Sequence, residues 1–568
     1  MTGGTGPGKY TVHMRGQRTV ALWSVFGVVA AVSSVLVLRR PTWDRLSDLH
    51  IYYGAISHLH DGQPLYEFVA ENGGPFTYPP FAALVLWPIG LLPEVVVQAG
   101  WLVATCAAVA AIAVATGRAL AHRNPPTGRA LASRNPLTGA STAEQRRQLL
   151  VPAAACVLMI SAPVQSNLRF GQVSIFIVLL ALVDGMGLTP ARCRGVLVGV
   201  AAAIKLTPLL FVVYFLAARR YRDAGRAAAA FVGCAALGAA VLPADSWTFW
   251  TGTVVNTSRI GNLASLGNQS LHGMLLRIGV TPDDLPPLWA ALVAVICGVA
   301  LLRARQLDRA RQPAHAAVLV GCATVAASPV SWTHHQIWPV LAAMLLIGAA
   351  GVVQRVAGAA LLGAMVFSLG ALLNQLSVTT GMQFLFENAR TVGTLTVCLA
   401  GFGGIAVATV GVHRPAPGRR TALRVATTAM VTLAFFAVQP LPAGADPTFK
   451  AYTLADAGNP RYFFVCRSQA ECAEFGAGAA ISFGVTAEKT KVRVNGVVDG
   501  RVTRLEYQSA PGGAARRIPL LPLYPGQRVF SFRSANLSHG RLVAYGPDGA
   551  PLATYTDELD INRSEATQ

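Results

Sequence analysis

The chain has 568 residues, 53% of them hydrophobic and only 13% charged, with a mean hydropathy of +0.47. Soluble domains carry about 25% charged residues, so the composition excludes an ordinary soluble globular protein and points to a polytopic helical membrane protein. The net charge of +20 comes from 46 basic and 26 acidic residues. The basic side chains fall in short loops and beside apolar ends, without interleaved aromatics, which reads as membrane orientation and not as nucleic-acid binding.

Residues 1–18 are Gly-rich and basic and read as a disordered cytoplasmic start. The first apolar block, 19–38, lacks a small-x-small cleavage site and is expected to remain as a helix. It ends at Arg39-Arg40-Pro41. Residues 41–80 then form a first external loop, with short amphipathic helices on the membrane surface. The run Phe81–Pro93 is apolar but short and contains Pro88, so it is expected to be interfacial or re-entrant. A crossing follows at 95–117.

Residues 118–148 are basic and contain a near-repeat, AHRNPPTG at 121–128 and ASRNPLTG at 132–139. Asn-Pro and Thr-Gly pairs punctuate loops, so this segment reads as a cytoplasmic linker. Three apolar blocks follow, at 149–164, 172–188 and 195–217. The basic run Arg219, Arg220, Arg222 and Arg226 also belongs inside. Crossings between two inside points must be even in number, so one of the three blocks is expected to be broken or re-entrant. Pro163, Gly171, Gly185–Pro190 and Pro208 offer the breaks. Irregular backbone at membrane depth is tolerated only where protein or a cavity surrounds it, which is where such proteins place their sites.

Further crossings are expected at 227–243, 286–303, 313–330, 336–353, 356–374, 391–412 and 422–438. The fold class is therefore an all-α polytopic membrane domain, 19–440, with about 11–13 transmembrane helices. The segments 244–285, 331–335 and 375–390 fall on the same outer side as Asp48. The tail, 441–568, alternates apolar and polar residues in KVRVNGVVDGRVTRLEY (491–507) and RLVAYGPDGAPLATY (541–555). A Pro-Asp-Gly turn divides the second run, so the tail reads as an extracytoplasmic β-rich domain. Seven of the nine cysteines lie in or near apolar blocks, whereas Cys466 and Cys472 are close together in the tail and suit a small-loop disulfide.

The stretch from Asp48 to Pro80 carries the chemistry. A carboxylate just outside a membrane helix, set among tyrosines, suits deprotonation of a sugar hydroxyl. The structural alternative is a solvated loop aspartate or an N-cap for the helix that starts near Leu49. Lys205 interrupts an apolar run, and an ionisable group there defaults to a functional reading, such as contact with a phosphate; the alternative is snorkelling to the headgroups. Arg169 can serve a phosphate in the same way, or touch lipid headgroups. His334 and His335 cannot both point into one helix face, so one of them contacts phosphate or orients Asp48. Asn268, Gln269 and His272 can hydrogen-bond sugar hydroxyls or cap helix ends. His50 lies beside Asp48, but no HExxH or DxD pattern appears, so no metal and no cofactor is expected.

The runs DLHIYY at 48–53, GQPLY at 62–66 and PFTYPP at 75–80 closely resemble the signature of glycosyltransferase family 87. NLRFGQ (167–172), AIKLTP (203–208), GNQSLHG (267–273) and SPVSWTHH (328–335) resemble its later motifs, in a consistent order over roughly 40–410. The resemblance implies an integral-membrane GT-C enzyme that takes a sugar from a polyprenyl phosphate. It implies Asp48 as catalytic base, with Tyr52, Tyr53 and Tyr78 lining an external cavity, and Asn167 and Gln172 as members of its Gly-Gln segment. The donor is a lipid-linked sugar and the acceptor a glycolipid or polysaccharide of an actinobacterial envelope. The spelling is nearer to the mannosyl branch, with arabinofuranosyl transfer as the alternative. A transporter would share the broken helices and the buried lysine, but the chain shows no matching halves and its polar motifs cluster on the Asp48 side.

Overall fold

The computed structural model describes residues 7–41, 44–70, 74–121, 142–256, 263, 265–278, 280, 284–367 and 380–402 and, in the tail, 453–456, 462–468, 471–476, 480–487, 492–510, 513–523, 527–534 and 540–556. The chain divides into two compact units, one of Met1–Thr257 and Leu266–Val438, the other of Ser258–Ser265 and Gln439–Gln568.

The first unit is helical. Helix α1 runs Pro7–Leu38. It starts earlier than the sequence suggests, because Pro7 suits a first helical position and extending a helix across polar residues is cheap once the apolar turns exist. The disordered start expected over 1–18 is therefore helical from Pro7 onward. Next come α2 (Ser47–His60), α3 (Pro80–Leu86) and α4 (Glu94–Ala121). A 3₁₀ turn, Trp87–Leu91, carries Pro88 and ends the short apolar segment before α4. The 122–141 part of the basic linker, with nearly all of its near-repeat, lies outside the described residues.

The apolar stretch after the linker is broken repeatedly. Helix α5 (Thr142–Ile160) meets α6 (Ala162–Phe170) at a bend of 62°, where Ser161 is extended and Pro163 opens the new helix. Helix α7 (Ser174–Gly185) starts after Gly171 ends α6 in the left-handed conformation (φ 67°). Helices α8 (Val196–Ile204) and α9 (Leu209–Ala217) are separated at Lys205, which is extended, three residues before Pro208. A proline at 208 has no N–H to donate and would meet the carbonyl of residue 204, so the helix cannot run through.

Helices α10 (Tyr221–Val241), α11 (Pro243–Thr251), α12 (Leu271–Arg277), α13 (Leu285–Arg309), α14 (Pro313–Ala327), α15 (Ile337–Ile347), α16 (Val352–Val366) and α17 (Thr380–Ala400) complete the unit. Among the described residues four helices are long and apolar enough to cross a membrane, Gln17–Leu38, Glu94–Gly117, Tyr221–Val241 and Leu285–Arg309, or up to five with the bent α5–α6 pair. Their outward faces expose apolar side chains, as at Val103, Val232 and Leu302. By contrast α14 and α15 are wrapped by protein, and almost every residue of both is buried. A Cβ at Gly321 would stand 2.0 Å from the Trp338 ring, so the missing side chain is what lets these two central helices touch. The crossing expected at 422–438 lies outside the described residues.

Among its described residues the second unit contains eleven strands: β1 (Thr453–Asp456), β2 (Tyr462–Ser468), β3 (Glu471–Gly476), β4 (Ile481–Ala487), β5 (Val492–Asp499), β6 (Arg504–Gln508), β7 (Arg516–Ile518), β8 (Leu521–Leu523), β9 (Gln527–Ser534), β10 (Arg541–Tyr545) and β11 (Pro551–Thr556). They form a three-stranded sheet β1-β2-β3 and two four-stranded sheets, β11-β10-β6-β7 and β4-β5-β9-β8. The two larger sheets share one core of Ile481, Val494, Val498, Leu505, Tyr507, Ile518, Phe530, Phe532 and Leu542. Alternation explains it, since Leu505 and Tyr507 of β6 face inward while Arg504, Glu506 and Gln508 do not. The Pro-Asp-Gly segment connects β10 to β11 as antiparallel neighbours, with Gly549 at φ 78°.

Cys466 and Cys472 are directly opposed partners in the antiparallel β2–β3 ladder. Opposed residues in such a ladder are about 4.5–5.5 Å apart at Cα, within the range that a disulfide bridges. Free-thiol mass spectrometry on protein taken from native membranes under non-reducing conditions should find these two cysteines joined. Two free thiols at these positions would contradict the expectation.

Candidate active site

The site grows from the junction of α2 with the turn between α6 and α7. Leu46 precedes α2 in the left-handed conformation (φ 49°), and its N–H donates to the Arg169 carbonyl at 2.9 Å. The turn places Asp48 in the first turn of α2, where the helix dipole favours a carboxylate. No side chain caps this helix, and its N-cap residue is Leu46. The capping alternative for Asp48 therefore has no hydrogen bond behind it. The stripe Leu49, Tyr52, Ala55 and Ile56 buries one face of α2.

On the facing side, α6 stops at Gly171, whose N–H and that of Gln172 both return to the Asn167 carbonyl. Only a residue free to adopt φ 67° ends the helix this way. A Cβ at Gly171 would also stand 2.6 Å from Leu49 Cβ, so the glycine lets α2 approach. The next side chain, Gln172, donates from Nε2 to Asp48 Oδ2. Its Oε1 accepts from the Tyr78 hydroxyl (3.2 Å) and from Ser174 Oγ (3.3 Å). Tyr78 and Tyr52 hydroxyls lie 3.0 Å apart, and Tyr66 holds the Tyr78 carbonyl at 2.7 Å.

Lys205 closes the network. The break after α8 frees its side chain, whose Nζ lies 3.4 Å from Ser174 Oγ, 2.7 Å from His335 Nε2 and 5.3 Å from the centre of the Tyr78 ring. The His335 Nδ1 atom lies 3.1 Å from the Trp332 N–H. A neutral imidazole accepts at only one nitrogen. The Trp332 N–H is a fixed donor into Nδ1, so the Trp332 and Lys205 contacts compete for the ring's one acceptor nitrogen. Asn167, fully buried, holds this turn to α6 by donating to the Pro163 and His334 carbonyls and accepting from the Ile175 N–H.

The structure thus joins Asp48, Tyr52, Tyr78, Gln172, Lys205 and His335, with Asn167 behind them. The other site candidates lie elsewhere. Arg169 pairs with Asp44 at 2.8 Å and stacks on Phe170, and Asp44 also pairs with Arg40. His50 pairs with Glu94 at 2.9 Å, and the Tyr53 hydroxyl donates to the Leu92 carbonyl. His334 is buried edge-on to Phe170 and His335, and neither ring nitrogen has a partner among the described residues. Asn268 accepts from the Ser270 and Ser331 N–H groups and donates to the Pro329 carbonyl. Gln269 binds the Leu266 and Glu387 carbonyls and Thr391. His272 is half-buried edge-on to Trp289.

Sequence reasoning missed two members. Ser174 bridges Gln172 and Lys205, and its signal is its place two residues beyond Gln172 at the head of an apolar helix. Asp44 neutralises Arg169, and its signal is its place one helical turn before Asp48. Chemically, the assembly is a half-buried carboxylate aimed by an amide, facing a cation, with phenolic rings between. Burial pushes the Asp48 carboxyl up to about 6, against the Gln172 hydrogen bond and the Lys205 charge, which both lower it.

Residues 76–331 match the model of glycosyltransferase family 87. The chain is 32% identical over 347 residues to a polyprenol-phosphate-mannose-dependent alpha-(1-2)-phosphatidylinositol mannoside mannosyltransferase of Mycobacterium tuberculosis, covering 58% of this chain and 77% of that protein. It is 29% identical over 364 residues to the corresponding pentamannoside mannosyltransferase of Mycolicibacterium smegmatis, covering 63% of this chain and 82% of that protein. No solved structure is a significant match.

With Asp48 read as a base, which must be deprotonated to act, kcat/KM should rise with pH through about 6, the value to which burial carries its carboxyl. Gln172→Leu removes a hydrogen bond that favours the charged carboxylate, so this acid limb should move to higher pH. Because the folded carboxyl holds its proton more tightly than the ordinary 3.8, it contributes stability at acid pH that is lost as pH rises from about 4 to about 6. A pH–rate profile of the two proteins checks the first two statements, and an acid limb near 4 would contradict them.

Proposed function

The chain belongs to glycosyltransferase family 87, and on that membership we propose that it is an α-1,2-mannosyltransferase that uses polyprenyl-phosphate mannose. Its acceptor in this reading is a glycolipid of the phosphatidylinositol mannoside type, the class named for the relatives. The observation that carries the reading is Asp48, a carboxylate without a capping role, oriented by Gln172 and acted on by the charge of Lys205.

In the reaction the acceptor oxygen attacks the anomeric carbon and passes its proton to Asp48. The bond from that carbon to the phosphate oxygen breaks, and polyprenyl phosphate leaves with the electron pair. A single displacement inverts the anomeric centre, so a β-linked donor gives an α-linked product. Lys205 and His335 stabilise the phosphate, where negative charge grows in the transition state. Tyr52 and Tyr78 wall the sugar and exclude water from the carboxylate. Arg169, tied to Asp44, keeps the two sides of the site in register.

The architecture that suits this chemistry is a GT-C membrane domain over 19–440 with 11–13 crossings and the first loop, 41–80, facing outward. The four long spans, the bent α5–α6 pair and the shorter apolar helices α7, α14, α15 and α16 support it. The tail, 441–568, then lies on the same outer side, consistent with basic inner segments such as 303–311.

Asp48→Asn preserves size but removes the base, so turnover should fall roughly 10²–10⁴-fold, with donor binding largely retained. Purified protein in lipid nanodiscs, given polyprenyl-phosphate mannose or polyprenyl-phosphate arabinose, reads both donor and base. Normal turnover by D48N would remove Asp48 from the mechanism, and use of arabinose alone would overturn the mannosyl assignment.

A further inference from the structure

Arg390, in α17, is a buried arginine that has no ion-pair partner among the described residues. The residue is only 8% exposed. Its Nε donates to the Ala364 carbonyl at 2.9 Å and its Nη1 to Thr333 Oγ1 at 3.1 Å, while Nη2 meets no acceptor among the described residues. Three other arginines of the helical unit have a carboxylate or oxygen acceptors beside them. Arg169 has Asp44, Arg220 has Asp223, and Arg277 has the Asn388 amide oxygen and the Asn268 carbonyl. Arg390 has two neutral acceptors, the Thr333 hydroxyl and the Ala364 carbonyl, the latter in the last turn of α16, where the helix end supplies a partial negative charge. Removing a guanidinium from water without an anion costs several kcal/mol, and a buried ionisable group in a membrane protein defaults to a functional role.

Its position supplies the role. Thr333 opens the short 3₁₀ turn Thr333–His335, and the last residue of that turn holds Lys205. Arg390 and Lys205 therefore hold side chains of the same 3₁₀ turn, Thr333 and His335. With the amine charged, the set carries two cations against the one carboxylate of Asp48. One negative charge completes it, and a phosphodiester carries one. From this we infer that Arg390 binds the phosphate of a lipid substrate, donating from its unpaired Nη2. A planar fork matches phosphate oxygens as a lysine cannot. The inference rests on the proposed glycosyl transfer, because that reaction brings a lipid phosphodiester to this turn. Both the polyprenyl-phosphate donor and a phosphatidylinositol acceptor contain one.

The test uses the full-length protein in nanodiscs. Direct binding of polyprenyl phosphate, compared with polyprenol, needs no turnover. Arg390→Met should weaken polyprenyl phosphate binding by about 10- to 100-fold, the scale of hydrogen bonds to a charged group, and leave polyprenol binding unchanged. Arg390→Lys, which keeps the charge and a single donor, should recover part of the loss. A rise in the acceptor KM with unchanged polyprenyl phosphate binding would assign the phosphate to the acceptor. Unchanged polyprenyl phosphate binding together with an unchanged acceptor KM overturns the inference. So does a loss that polyprenol shares, or that follows the thermal midpoint with no recovery in R390K. If wild type binds polyprenyl phosphate but turns over no mannosyl donor, the proposed function fails while the binding comparison still decides this residue.

Discussion

The hydrogen bond from Gln172 to Asp48 is the contact on which the candidate site depends. A carboxylate on a short surface helix is ordinary until something fixes its direction and removes its water. Gln172 does the first, and the closure of α2 on the α6–α7 turn does the second. That closure requires Gly171, because a side chain there would meet Leu49. It also requires Leu46 to hold a left-handed conformation that non-glycine residues seldom adopt, stabilised by its N–H bond to Arg169. The strain and the glycine lie on opposite sides of one contact. The amide that aims the carboxylate is in turn fixed by the Tyr78 and Ser174 hydroxyls.

A second constraint is the cost of charge inside a helical membrane domain. Arg169 and Arg220 each sit beside a carboxylate that balances their charge. Lys205 differs because Pro208 breaks the helix and turns the side chain toward Ser174 and His335. The same logic separates Arg169 from the chemistry. Its two bonds to Asp44 make it a clasp between the first loop and α6, not an open phosphate donor. Broken helices thus do two things here. They free backbone direction for polar side chains, and they let protein shield the irregular backbone from lipid.

Much of this was legible in the sequence. Prolines and glycines at 163, 171 and 208 marked breaks that the structure contains, because proline lacks the N–H a helix interior needs and glycine readily takes the left-handed conformation that ends a helix. The β10–β11 connection was legible for the same reason, from Pro547, Asp548 and Gly549. Six of the residues singled out, from Asp48 to His335, converge through short contacts. What the sequence does not carry is pairing at a distance. Asn268 and Gln269 look like sugar ligands in a line of text, yet their amides bind backbone around Ser331 and Thr391. His50 adjoins Asp48 in sequence but points around the helix to Glu94, as neighbours on a helix do. The start of α1 was missed because polar residues give no apolar period to read, although a helix already nucleated extends through them.

The most direct measurement is an infrared titration of the purified protein in lipid, following the carboxylic carbonyl stretch against D48N as reference. The account predicts a carboxyl that protonates near pH 6 and disappears in D48N, since burial holds Asp48 at about 6. A band assigned to Asp48 that protonates near 4 would mean a solvated carboxylate. The carboxylate would then be neither shielded nor aimed, and the site built around it would not stand.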